Sequence, residues 1–205
     1  MSREPFVSKT RPAPSLTVPS RVSVRRRPPE TARLVLTPIE SPDAPELWDA
    51  IDGSRWHLER WLPWVPYNST LEACERYALA SESDWDAGRA ARLAIRDRNT
   101  RAFYGVVGLD HIVHLHQGCE LGYWLRREAT GHGYMVEAAR ACVSFAFERM
   151  GVHRIRCAAA TDNFASLRVI AQLGFHFEGI ARQVEYVASR WLDHALFAKL
   201  STEHT

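Results

Sequence analysis

Lysine is nearly missing from this 205-residue chain: two residues stand against 24 arginines, a skew that reads as genome composition rather than function. Cysteine is scarce too. The four at positions 74, 119, 142 and 157 are scattered and form no CxxC pair, which excludes a disulfide scaffold and fits reduced cytosolic thiols. No apolar run is long enough to span a membrane, and no apolar segment near the start reads as a secretory signal. A cytoplasmic protein with no membrane partner is expected. Proline is absent after Pro66, so a long stretch is free to build continuous strands and helices. No internal repeat is visible.

What remains is the composition of one ordinary globular domain, 46% hydrophobic and 24% charged. The net charge of +2 hides an uneven distribution. Residues 1–30 hold seven basic and two acidic residues, leaving the rest of the chain at a net −3. A nucleic-acid role argued from the whole-chain pI is therefore weak. The first 30 residues also contain six of the eleven prolines. They are expected to form a disordered or extended basic tail, with 31–200 as the domain and 201–205 as a short C-terminal tail. Arg25–Arg27 is where such an arm would touch RNA; the alternative is a solubilising leader.

Periodicity predicts a strand over Arg33–Thr37 and a helix capped by Ser41 or Asp43 through Asp52. A tryptophan-rich segment follows (Trp56, Trp61, Trp64), then a helix over Ser69–Ala87 with Ser69 and Glu72 as a capping box. Strands are predicted at Ala90–Arg96, Phe103–Leu109 (extended towards His116) and Glu120–Leu125. Thr130-Gly131-His132-Gly133 then joins strand to a long amphipathic helix, Tyr134–Met150, stopped by Gly151. A strand at Arg154–Ala160, a helix at Phe164–Leu173 capped by Asp162 or Asn163, and an antiparallel pair at Gln183–Val187 and Asp193–Leu200 complete the set. The fold class is α/β: a mixed, mostly antiparallel sheet with one parallel crossover.

A glycine-rich turn between strand and helix exposes backbone N–H groups, and these favour a phosphate. Gly131-x-Gly133 alone is a weak signal. It lacks the lysine of a nucleotide P-loop and the third glycine of a dinucleotide fingerprint. Its setting says more. Leu121-Gly-Tyr-Trp-Leu-Arg-Arg-Glu-Ala-Thr-Gly-His-Gly-Tyr-Met-Val-Glu-Ala138 resembles motif A of the GNAT superfamily of N-acetyltransferases. Asp162-Asn-Phe-Ala-Ser166, with Val169 and Leu173-Gly-Phe175, resembles their motif B. The likeness is to the bacterial ribosomal-protein N-terminal acetyltransferases, the serine type in particular, and covers roughly residues 31–200.

The resemblance implies a splayed sheet, with acetyl-CoA as cosubstrate and no metal. It implies coenzyme contacts at Leu125, whose backbone would pair with the pantetheine arm, and at Arg127, Thr130, Gly131, His132, Gly133, Tyr134 and Met135. Asn163 would hydrogen-bond the pantetheine amide or only cap its helix. Gly133 matches the family pattern. Thr130 replaces a long polar side chain, and Met135 fills a normally small position. Glu185 falls where the serine-type enzymes place a general base, and Ser166 falls where a serine protonates the departing thiolate. Tyr123 and Tyr186 are rival proton donors or packing residues. The tryptophan segment would wall the acceptor site or simply be buried.

An α-amine, with a pKa near about 7.7–8, asks little of its base. The resemblance implies a protein N-terminus as acceptor, such as that of a ribosomal protein. The alternatives are a small amine, which a net −3 domain would suit as a cation, and a non-catalytic acyl-CoA-binding module. A homodimer is also considered. His111, His114 and His116 invite a metal, but on a strand His111 would point away from the other two, and no fourth ligand is evident.

Overall fold

The computed structural model describes residues 15–204. Seven strands form one sheet: β1 (Leu34–Pro38), β2 (Ala91–Asp97), β3 (Phe103–Val113), β4 (Gly118–Leu125), β5 (Arg154–Ala160), β6 (His176–Val187) and β7 (Arg190–Leu200). Their spatial order is β1-β2-β3-β4-β5-β7-β6. Every neighbouring pair is antiparallel except β4 and β5, which the crossover helix α5 (Tyr134–Ser144) joins in parallel. This is the mixed, mostly antiparallel α/β sheet that the sequence predicts.

The β4–β5 pairing is short. It joins Gly118 to Arg154, Cys119 to Ile155 and Glu120 to Arg156, and then stops. From Leu121 and Cys157 onwards the strands diverge, each keeping its other neighbour: Leu121–Leu125 stays on β3, and Cys157–Ala160 stays on β7. The sheet is therefore two half-sheets meeting in a V.

Strand alternation gives the sheet two buried faces. On one face, α5 contributes Met135, Ala138, Ala139, Cys142 and Val143, and α6 (Phe164–Gln172) contributes Ile170; these pack on Leu121, Leu125, Ile155 and Cys157. On the other, α2 (Ala44–Gly53) and α4 (Leu71–Asp86) bring Leu47, Ala50, Ile51, Cys74 and Ala78 against Ala94, Val106 and Trp124. Helix α4 begins two residues later than predicted. Its cap is Thr70, whose hydroxyl accepts from Ala73 N–H at 3.2 Å, rather than Ser69. The predicted helix to Met150 continues α5 as a π-helical stretch, Phe145–Met150, and ends at Gly151 in the left-handed region.

The largest departure lies in the supposed tail. Residues 1–14 are outside the described residues, but 15–30 are docked on the domain. Between Pro19 and Pro28 the chain forms a short helix, α1 (Arg21–Arg26), capped by Ser20. Val24 is fully buried and Leu16 nearly so. Pro19 O accepts from Trp85 Nε1 at 2.8 Å, and Leu36 N–H closes onto Pro29 O. Arg21 bridges Glu40, Glu82 and Asp86, and Arg25 pairs with Glu40. The proline density is real, but it brackets a proline-free window of helix length. Two of the arm's arginines, Arg21 and Arg25, thus meet the body's carboxylates. Val24→Asp should therefore cost about 3 kcal/mol, since it buries an unpaired charge. Thermal denaturation checks this: an unchanged midpoint would mean that the arm only decorates the domain.

The C-terminal end is docked too: Ser201–Glu203 forms a single turn, and His204 lies 3.1 Å from Glu148. The histidine triplet is not on one strand. His111 sits at a bulge with φ +50°, while His114–His116 form a separate turn in which His114 bonds the Gly88 carbonyl. Among the described residues, no three His, Cys, Asp or Glu side chains are grouped to hold a metal, and no helix is long and apolar enough to cross a membrane.

Candidate active site

The opening of the V is the natural place for a ligand, because diverging strands leave backbone groups without sheet partners. Arg126 N–H donates to Tyr104 O at 2.8 Å, towards β3. Successive residues alternate edges, so Leu125 and Tyr123 turn their N–H and C=O away from β3 and into the V. Leu125 thus presents backbone groups without a sheet partner to the V.

Above Leu125 the chain makes one turn at Arg127–Ala129 and then runs through Gly131 and Gly133, at φ +81° and +78°, into α5. Both conformations favour glycine, and no side chain caps the helix, so its first N–H groups face outward. Thr130 folds back to give its hydroxyl hydrogen to Arg127 O at 2.7 Å. Met135 is buried in the core below the turn. The turn is braced by the residues that lead into β1. Arg33 donates to His132 O at 3.1 Å and pairs with Glu137 at 2.6 Å, while Thr31 also bonds Glu137. Tyr134 is stacked between Tyr104 (centroids 4.9 Å apart) and the Arg33 guanidinium (4.6 Å). Arg127 departs from expectation. Its guanidinium turns away from the glycine turn and lies 4.5 Å over the exposed ring of Trp56, on the α2 side.

Across the V, Asn163 caps α6, its side-chain oxygen accepting from Ser166 N–H at 3.2 Å. Ser166 Oγ lies 2.8 Å from the hydroxyl of Tyr123, which also donates to Ser166 O at 3.3 Å. A β4 tyrosine thus reaches across the gap to the first turn of α6. Burial, with Cys157 beside it, pushes the Tyr123 phenol well above its ordinary pKa, so it keeps its proton. Tyr186 is not part of this group; it is half-exposed and packs edge-on to Trp191.

Glu185 occupies the opposite face. It is in register with Leu192, and Val187, Leu192, Ala160 and Trp61 form a small apolar cluster there. Its carboxylate is 3.3 Å from His194 Nε2, and His194 is in register with Ala160 at the open end of β5. Sequence reasoning missed His194. A bulge between Ala181 and Glu185, with Gln183 at φ +48°, shifts the β6–β7 register, so no count along the chain pairs the two. The arrangement places a hydroxyl pair on the α5–α6 side of the gap and a carboxylate–imidazole pair on the α2 side, with backbone donors at the turn between.

A family model described as an acetyltransferase (GNAT) domain matches residues 33–176. The Escherichia coli (strain K12) ribosomal protein uS5-alanine N-acetyltransferase is 27% identical over 177 residues, 85% of this chain and 91% of that one. The ribosomal-protein-S5-alanine acetyltransferase of Vibrio fischeri superposes with a TM-score of 0.79 at 27% identity, covering 86% of this chain and 97% of that one. A ribosomal L7/L12 α-N-protein acetyltransferase, solved in complex with coenzyme A, shares the fold with a TM-score of 0.80 at 22% identity, over 85% and 97% of the two chains. The divided sheet, the glycine turn at the head of α5 and the matched family model agree: this chain is an N-acetyltransferase and belongs to the GNAT family.

Proposed function

We propose that this protein uses acetyl-CoA to acetylate the N-terminal α-amine of a protein, a ribosomal protein being the leading class. The observation that carries this reading is the two-sided gap, with proton-holding groups on opposite faces of one opening in the sheet. Several features fit the coenzyme. The N–H groups from Gly131 to Met135, at the positive end of α5, suit a pyrophosphate, and the backbone of Tyr123 and Leu125 offers strand-like bonds to an amide arm. Thr130 supplies no side-chain donor there, so the backbone carries the phosphate contacts. Asn163 serves the gap chiefly by fixing Ser166 at the head of α6.

The coenzyme supplies the acetyl group as a thioester, and the residues manage protons. Glu185, braced by His194, accepts a proton from the incoming ammonium, directly or through one water. That leaves the amine lone pair free to attack the carbonyl. When the carbon–sulfur bond breaks, the thiolate needs a proton: Ser166, held by the Tyr123 hydroxyl, gives up its own and is repaid by the second proton that the attacking nitrogen loses as the amide forms, so Tyr123 keeps its proton. Serine needs such a neighbour because an isolated hydroxyl is a poor acid. Two Escherichia coli relatives are named as a ribosomal-protein alanine and a ribosomal-protein serine acetyltransferase, which favours an N-terminus over a small amine.

The test is thiol release from acetyl-CoA with peptides carrying free N-terminal serine or alanine, against a panel of polyamines and amino acids. Peptide turnover is expected. Ser166→Ala should lower kcat by about 10- to 100-fold, with acetyl-CoA affinity nearly kept. Turnover of small amines alone would overturn the N-terminus reading. Binding of acetyl-CoA with no transfer to any amine would mark a non-catalytic module.

A further inference from the structure

The side of the gap that holds Glu185 carries a row of arginines. It begins beside the end of β4, where Arg127 lies over Trp56. It continues through α3 (Arg55–Leu58) and the residues after it to Trp61, whose ring has Arg60 on it at 5.4 Å and Arg190 at 5.4 Å. Trp61 in turn rests on Ala160, Val187 and Leu192, at the end of β5 and beside Glu185. The row therefore spans the mouth of the V from one half-sheet to the other.

Part of this charge is already met: Arg190 pairs with Asp162 at 2.6 Å, Arg55 with Asp52 and Glu59, and the neighbouring Arg126 with Asp49 and Glu128, while Arg60 and Arg127 reach Asp162 and Glu128 only from beyond pairing distance. Among the described residues, no carboxylate lies within ion-pair distance of Arg60 or Arg127, and both side chains are exposed. His57, between them, has its pKa lowered by burial first and then by Arg127 and Arg60, so two positive fields converge on one point of the mouth. A lysine-rich or polyamine acceptor would meet repulsion there, although the domain as a whole is slightly acidic.

We infer that the acceptor is an acidic peptide, carrying carboxylate side chains within a few residues of the amine, and that Arg60 and Arg127 select it across the Trp56–Trp61 ledge. This rests on the N-terminal acetyltransferase reading and adds the charge of the substrate to it. Arginines already lying on indole faces are partly ordered before binding, and their planar guanidinium groups match a carboxylate in two hydrogen bonds.

The experiment uses one peptide sequence with a free N-terminal serine and with Asp, Asn or Lys at positions 2 to 4, at saturating acetyl-CoA. The Asp peptide should exceed the Asn peptide in kcat/KM by about 10-fold and the Lys peptide by more, and the advantage should shrink in high salt. In the Arg60→Gln, Arg127→Gln double variant the Asp-to-Asn ratio should fall to about 2 or less, with acetyl-CoA affinity unchanged as the check on folding. Equal or better turnover of the Asn or Lys peptide would overturn the inference while leaving the N-terminal reading intact. So would an Asp preference that survives in the double variant. Failure of every peptide alongside turnover of small amines would overturn both.

Discussion

Glu185→Gln is expected to lower kcat at pH 7 by about 10²- to 10³-fold, with acetyl-CoA affinity unchanged. The substitution keeps the shape of the side chain beside His194 Nε2 (3.3 Å) but removes the proton acceptor. Its pH dependence separates a base from a mere contact. An α-amine loses its own proton around about pH 8, and above that it needs no help. The deficit should therefore narrow steadily between pH 7 and pH 9. A deficit of the same size at both ends would mean that Glu185 does not take the amine's proton. His194→Asn should give a smaller loss with the same pH trend, because the imidazole acts only through the carboxylate. Steady-state rates with a single peptide across this range suffice.

The second large effect is on stability. Gly105, in β3, has φ +154° and is in register with Leu125. An added Cβ would run into the Trp124 carbonyl oxygen and lie 2.8 Å from Leu125 Cα. Those neighbours are backbone atoms of the paired strand, so no flexible side chain can swing aside. Gly105→Ala should cost about 3 kcal/mol or more, which lowers the thermal midpoint by about 6–12 °C in a domain of this size. It should also weaken acetyl-CoA binding, because the strain falls on the residue whose backbone faces the gap. Gly53→Ala is the control: nothing lies within 4 Å of its added Cβ, so the midpoint should hardly move. A Gly105→Ala midpoint within a degree or two of wild type would refute the close approach.

The parts legible in the sequence were those encoded by neighbours along the chain. The strand Arg154–Ala160 needs only its own apolar run, and the structure keeps its bounds. The Gly131–Gly133 turn and the amphipathic helix after it announce themselves through glycine spacing and a 3.6-residue period. The parts that escaped depend on residues distant in sequence. Tyr123 meets Ser166 only because two half-sheets diverge and α6 starts across the gap. Glu185 meets His194 only because of a bulge. The helix at Arg21–Arg26 was hidden differently: the prolines around it dominated the composition, although Ser20 and the proline-free window were a readable signal. The arginine row is invisible as charge, because carboxylates on the domain, several of them beside the row, outnumber it.

A seven-stranded open sheet ordinarily has two edges, and this one has four. Strands β1 and β6 close the outside, while the upper halves of β4 and β5 form two more edges inside the molecule. Outer edges invite pairing with other chains, and proteins usually blunt them. The inner pair is different: it lies beneath α5 and α6, which touch through Arg140 and the Gln172 carbonyl, so helices rather than charges or prolines keep other chains from it. The sheet thus hides inside the fold the kind of edge that proteins elsewhere have to disarm.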